Sequence, residues 1–159
     1  MTYEQKINAA VGYYNLGMVE ESLGELNAIA ESDRSRPEAL ALRVSVLMRM
    51  QSWEEAAQCG VALTRLLPGE PSPYLDVAFC LHELKHTREA REILLNGPDS
   101  LKGNPTYHYN MACYEAQLGD LSTARRYLDR AIAMDSQFAE FWIDDPDLKF
   151  LHAGNKKKA

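Results

Sequence analysis

The stretch Tyr109-Asn110-Met111-Ala112-Cys113-Tyr114-Glu115-Ala116-Gln117-Leu118-Gly119-Asp120, continued by Ala124, Leu128 and Ala131, decides the fold. Up to Leu118 it is rich in apolar residues at the three- and four-residue steps of one helical face. Gly119 is the residue type that best ends a helix in a left-handed conformation. Ala124, Leu128 and Ala131 then resume the helical spacing. The segment therefore predicts two antiparallel helices joined by a tight turn.

The same hairpin recurs upstream. Pro37, Pro71 and Pro105 stand 34 residues apart, and so do Ser22, Ala56, Ala90 and Ala124. Proline suits the first turn of a helix, where its missing N–H has no intrahelical partner. A small residue at a fixed point of the second helix lets two backbones approach closely. Leu16-Gly17, Met50-Gln51, Leu84-Lys85 and Leu118-Gly119 fall in phase before the second helix. Val19, Trp53, Thr87 and Leu121 open that helix, and Ala10, Val44, Ala78 and Ala112 recur in mid-first-helix. Leu26, Leu94 and Leu128 pack late in the second helix, with Gly60 the exception.

With this period and these positions the chain resembles the tetratricopeptide-repeat family. The resemblance covers nearly the whole chain and is strongest in the fourth unit. It implies an all-α, right-handed α–α superhelix of four repeats, about 3–36, 37–70, 71–104 and 105–138. Ser22, Gly60 and Gly97-Pro98 depart from the family pattern, and the last implies a shortened second helix in the third repeat. Asn-Met-Ala-Cys-Tyr at 110–114, followed late by Asp145-Pro146-Asp147-Leu148, is similar to the end-of-group form of the repeat. A solenoid needs a cap over its last apolar face. Residues 139–151 are expected to form it, with Phe141, Trp142 and Ile143 covering the fourth repeat and 153–159 as a disordered basic tail.

Composition narrows the function classes. Apolar residues make up 46% and charged residues 25%, which suits a foldable globular chain. A net charge of −6 argues against a nucleic-acid partner. No stretch reaches the apolar length of a membrane span, and the N-terminus lacks a signal-peptide pattern. Cys59, Cys80 and Cys113 are odd in number and form no CxxC pair, so a reducing cytoplasm is the expected location.

His82-Glu83-Leu84-Lys85-His86 matches HExxH, the two-histidine zinc motif of metallohydrolases. The repeat register puts His86 in a turn, and no third ligand follows, so this zinc enzyme is only a minor alternative. Asp144, Asp145 and Asp147 lack the pattern of a calcium loop and read as turn and capping residues. No catalytic residue, metal or cofactor is expected.

The resemblance implies a protein or peptide partner on the face lined by the first helix of each repeat. The positions it marks are Ile7, Val11 and Tyr14; Ala41, Ser45 and Met48; Leu75, Phe79 and His82; and Tyr109, Cys113 and Ala116. Asn15, Arg49, Asn110 and Gln117 are nearby polar groups. The family's carboxylate-clamp positions fall on Ile7, Val11, Leu42, Ser72 and Asp76; none is basic, which excludes that mode of binding acidic chaperone tails. An adaptor or scaffold is the leading reading. The alternative is a cytoplasmic chaperone similar to the tetratricopeptide chaperones of type III secretion. A homodimer through Phe138, Phe141 and Trp142 is a candidate assembly.

Overall fold

The computed structural model describes residues 1–156, with side chains through His152. The chain divides into two compact units, 1–68 and 69–159, and the division falls between the second and third expected repeats. The described residues form α-helices and short 3-10 turns, with no strand among them.

The first unit holds α1 (Tyr3–Asn15), α2 (Val19–Asn27), α3 (Pro37–Arg49) and α4 (Trp53–Leu66). The second holds α5 (Pro71–Glu83), α6 (Thr87–Leu95), α7 (Pro105–Gln117) and α8 (Leu121–Met134), then α9 (Phe138–Phe141) and α10 (Lys149–Lys156). Pro37, Pro71 and Pro105 each open a helix, as their missing N–H predicts.

One turn is built four times. Gly17, Gln51, Lys85 and Gly119 have φ of 78°, 58°, 67° and 95°. The N–H of the next residue reaches back to a carbonyl five residues earlier: Met18 to Tyr13, Ser52 to Leu47, His86 to Leu81 and Asp120 to Glu115, at 2.8–2.9 Å. A second bond runs from Gly17 to Tyr14, Gln51 to Met48, Lys85 to His82 and Gly119 to Ala116. This pair of bonds is the Schellman motif, which satisfies the last carbonyls of a helix. The turn imposes the left-handed conformation even where the residue is Gln or Lys.

The small-residue positions lie at the centre of the helix pairs, out of contact with water. Ala10, Ser22, Ala78, Ala90, Ala112 and Ala124 are fully buried, and Ala56 nearly so. Ser22 is accommodated because its hydroxyl donates to the Ala10 carbonyl at 2.7 Å. In the first unit Ala10, Leu26, Ile29, Ala39 and Val46 form the core. In the second, Leu94, Leu101, Met111, Tyr114, Leu128 and Leu148 are central.

The second helices differ in length. α6 stops at Leu95, where Gly97-Pro98 and a 3-10 turn over Asp99–Gly103 follow. α2 also stops early, at Asn27, with no glycine or proline to announce it. Cationic side chains take its terminal carbonyls instead. Lys6 donates to Ala28 O at 2.6 Å, and Arg34 donates to Ile29 O and Asn27 O at 3.0 Å. Positive charge at a helix C-terminus is favourable for the dipole and for the unpaired carbonyls alike.

The cap differs from the expectation in which residues it buries. Leu148 and Leu151 enter the core, with Phe138 and Trp142 partly buried beside them. Phe141 and Ile143 are 65% and 53% exposed, and Phe141 covers the fourth repeat only by the edge contact of its ring with Tyr109 at 5.6 Å between centroids. The turn at Asp145-Pro146 reverses the chain and puts the later leucines inward. Trp142 lies against His152 (ring centroids 4.2 Å) under the Arg125 guanidinium. The tail expected over 153–159 begins within α10, and its residues 157–159 lie outside the described residues.

Candidate functional site

In the second unit the expected contact residues face the chain's own cap. Asp145 Oδ2 accepts a 2.6 Å hydrogen bond from Tyr109 OH, and the Cys113 thiol approaches the same oxygen at 3.8 Å. Asp147 Oδ2 lies 2.7 Å from His82 Nε2, and Gln117 donates from Nε2 to the Asp147 carbonyl at 2.9 Å. Asp145 Oδ1 also accepts from Asp147 N, which holds the turn over Pro146–Leu148. Four of the sequence-marked residues, His82, Tyr109, Cys113 and Gln117, are thus brought together, and residues 145–147 satisfy them. Leu75 is buried and Asn110 half-buried, while Phe79 remains exposed.

The first unit presents the corresponding face without such a cover from its own residues. The Arg49 guanidinium lies 4.0 Å from the Tyr14 ring centroid and donates to the Tyr14 carbonyl at 2.9 Å. This cation–π pair ties α3 to the end of α1 and leaves Arg49 exposed. Val11 is 38% exposed and Asn15 is exposed, with Tyr14 and Met48 half-buried. Ile7 belongs to the core edge. Ser45 turns its hydroxyl back to the Ala41 carbonyl.

No family model matches the sequence, and no curated protein matches it either. Solved structures do match. A MamA fragment from Desulfovibrio magneticus RS-1 superposes with a TM-score of 0.78 at 16% identity, covering 97% of this chain and 91% of that one. TTC0263, a thermophilic tetratricopeptide-repeat protein of Thermus thermophilus, gives 0.73 at 16% identity, covering 96% and 82%. PilF of Pseudomonas aeruginosa gives 0.76 at 18% identity, covering 97% and 69%.

The fold is the tetratricopeptide-repeat fold.

Within this tetratricopeptide-repeat scaffold the HExxH segment is split by a turn. His82 and Glu83 end α5, while His86 precedes α6 after the left-handed Lys85. His82 is also fully engaged. An ionised carboxylate only accepts, so Nε2–H donates to Asp147, and Nδ1 pairs with the Thr87 hydroxyl at 2.9 Å. The helical face that puts two imidazoles on one zinc is missing from this segment.

The surroundings of the three cysteines disfavour the thiolate. Burial pushes the Cys59 thiol up, and the Cys80 thiol up to about 12. Burial, then the Asp145 and Asp147 charges, raise Cys113 further. A thiolate is the reactive form, and these surroundings disfavour it. Cys113, Asp145 and Asp147 can bring one ligand atom each within 4.8 Å of one another. Their atoms already serve Tyr109, His82 and the 146–148 turn, so the grouping reads as a cap clasp. Among the described residues no helix is long and apolar enough to cross a membrane.

Sequence reasoning marked the walls of this face but missed its occupant. Asp145 and Asp147 read as turn residues. The available signal was an acid pair flanking a proline, opposite a face carrying His82, Tyr109 and Gln117.

Proposed function

We propose that this chain is a protein-interaction module, an adaptor or scaffold, whose partner docks on the first-helix face of the first unit. The observation that carries the reading is the contrast between the two units. Asp145 and Asp147 occupy His82, Tyr109, Cys113 and Gln117, whereas Val11, Tyr14, Asn15, Met48 and Arg49 meet no comparable segment of their own unit. The solved tetratricopeptide-repeat structures lend the scaffold. The reading needs no catalytic group or cofactor.

The chemistry of the face suits an extended peptide. Val11 and Met48 offer apolar contact, Asn15 can pair with a peptide backbone, and Arg49 can hold a carboxylate. Stacking on Tyr14 orients the guanidinium beforehand and lowers the ordering cost of binding.

The test is affinity capture from the native cell, with Val11→Asp/Arg49→Ala beside wild type and Glu21→Lys on α2 as a surface control. A partner retained by wild type and control but lost by the double variant supports the reading. A partner held equally by the double variant removes it.

A further inference from the structure

Between α7 and α8 lies an open cleft of about 320 Å³ lined by His108, Thr123, Arg126, Tyr127 and Arg130. We propose that this cleft binds a phosphate group, free or as a phosphomonoester. Its lining residues all belong to the second unit, and it does not depend on the docking reading above.

The lining is cationic and contains no acid, in a chain of net charge −6. Arg126 and Arg130 sit one helical turn apart, where like charges repel. Elsewhere in the fold Arg36, Arg91 and Arg125 each have a carboxylate partner at 2.6–3.2 Å. Arg126 has only the Thr123 hydroxyl oxygen at 3.1 Å, and Arg130 has no partner among the described residues. Asp129, the acid in reach of Arg126 along the helix, is taken by Arg125. Asp120 lies within the field of Arg126, but its carboxylate caps α8 by accepting the Thr123 N–H at 3.0 Å. Two guanidinium groups are left with donors unspent on one wall.

The remaining groups fit a tetrahedral oxyanion. Thr123 Oγ1 accepts from Arg126 while its hydroxyl donates to the Asp120 carboxylate, so the arginine donors, not the hydroxyl, face an incoming anion. His108 Nε2–H donates to the Lys102 carbonyl at 2.9 Å, so in the neutral ring Nδ1 is the acceptor. That Nδ1 is buried with no partner. Inorganic phosphate at neutral pH carries both acceptor oxygens for the arginines and an O–H, a combination that sulfate and carboxylates lack. A phosphomonoester carries the O–H only as its monoanion, below its second ionisation at about 6. Planar guanidinium forks match phosphate oxygens in pairs, which favours arginine at such a site.

The test is a backbone-amide NMR titration of the full chain with sodium phosphate at constant ionic strength, with sulfate and acetate in parallel and phosphoserine as a second ligand. Saturable shifts at His108 and Thr123–Arg130 with millimolar affinity are expected, weakened about tenfold or more by Arg130→Gln. Arg65→Gln on α4 should leave the affinity unchanged. Response to phosphate alone assigns the free anion, and response to both phosphate and phosphoserine assigns a phosphomonoester. Shifts that stay linear, that sulfate reproduces in full, or that survive Arg130→Gln in a variant with an otherwise native spectrum would overturn the proposal.

Discussion

His82 Nε2 and Asp147 Oδ2 lie 2.7 Å apart across 65 residues of chain, joining the end of α5 to the cap. His82 is 9% exposed, and the Asp147 side chain keeps about a third of its surface in water. A partly buried, charge-assisted bond of this kind is worth more than an exposed ion pair. His82→Ala or Asp147→Ala should each lower stability by about 1–2 kcal/mol. The double variant should fall short of the sum, giving a coupling of about 1 kcal/mol in a thermal or urea double-mutant cycle. Strict additivity would mean that the pair contributes nothing.

The left-handed turns supply a second prediction. Gln51 and Lys85 adopt φ of 58° and 67°, which glycine accepts without the Cβ clash. Gln51→Gly and Lys85→Gly should each raise stability by about 0.5–1 kcal/mol, net of the entropy glycine adds to the unfolded chain. The urea midpoint should rise while the slope stays constant.

Glycines elsewhere should divide by their surroundings. A Cβ at Gly97 would collide with the buried Leu101 side chain and stand 3.2 Å from the Ile93 carbonyl. Gly97→Ala should therefore cost about 1–3 kcal/mol. Gly12 and Gly24 lie inside α1 and α2, where an added Cβ meets nothing within 4 Å. Alanine at either should stabilise by about 0.5–1 kcal/mol through helix propensity, read as a higher melting temperature.

Burial on α5 raises the Asp76 carboxyl to about 6. An acid whose folded pKa exceeds its unfolded value near 3.8 favours the native state when protonated. The contribution is fully present below the unfolded value and lost as pH rises through about 6. Asp76→Asn should stabilise the protein by about 1–2 kcal/mol at pH 7, discounted for partial solvent access, and by nothing well below the unfolded value, at pH ~2.5. Denaturation across this pH range checks the trend, and a carbon-detected titration of Asp76 checks its pKa. A gain that is the same at both pH values would contradict it.

At the small position of α2, Ser22 donates to Ala10 O from a fully buried site. Ser22→Ala removes donor and hydroxyl together, so the cost should stay near or below about 1 kcal/mol. Ser22→Val adds bulk where the backbones approach and should cost about 1–3 kcal/mol. Equal melting temperatures for the two variants would show that the position tolerates volume.

The helices and their turns were legible in the residues because each is a local matter. Pro37, Pro71 and Pro105 begin helices by a property of proline alone, and Leu118-Gly119-Asp120 ends one within six residues of chain. The alanine comb was legible because close backbone approach admits few side chains. The candidate face was half legible. The repeat register marks which side chains share a helix face, but not what packs against them.

What the sequence determined by itself is the period, the hairpin and the four turns, since these follow from torsional preference and from apolar spacing within a few residues. Only the tertiary structure decided that α2 stops at Asn27, held by Lys6 and Arg34, and that Leu148 and Leu151 rather than Phe141 and Ile143 close the second core. It alone seated Asp145 and Asp147 on Tyr109 and His82. These outcomes depend on groups distant in the chain competing for the same buried hydrogen bonds and apolar surface, and periodicity holds no record of that competition.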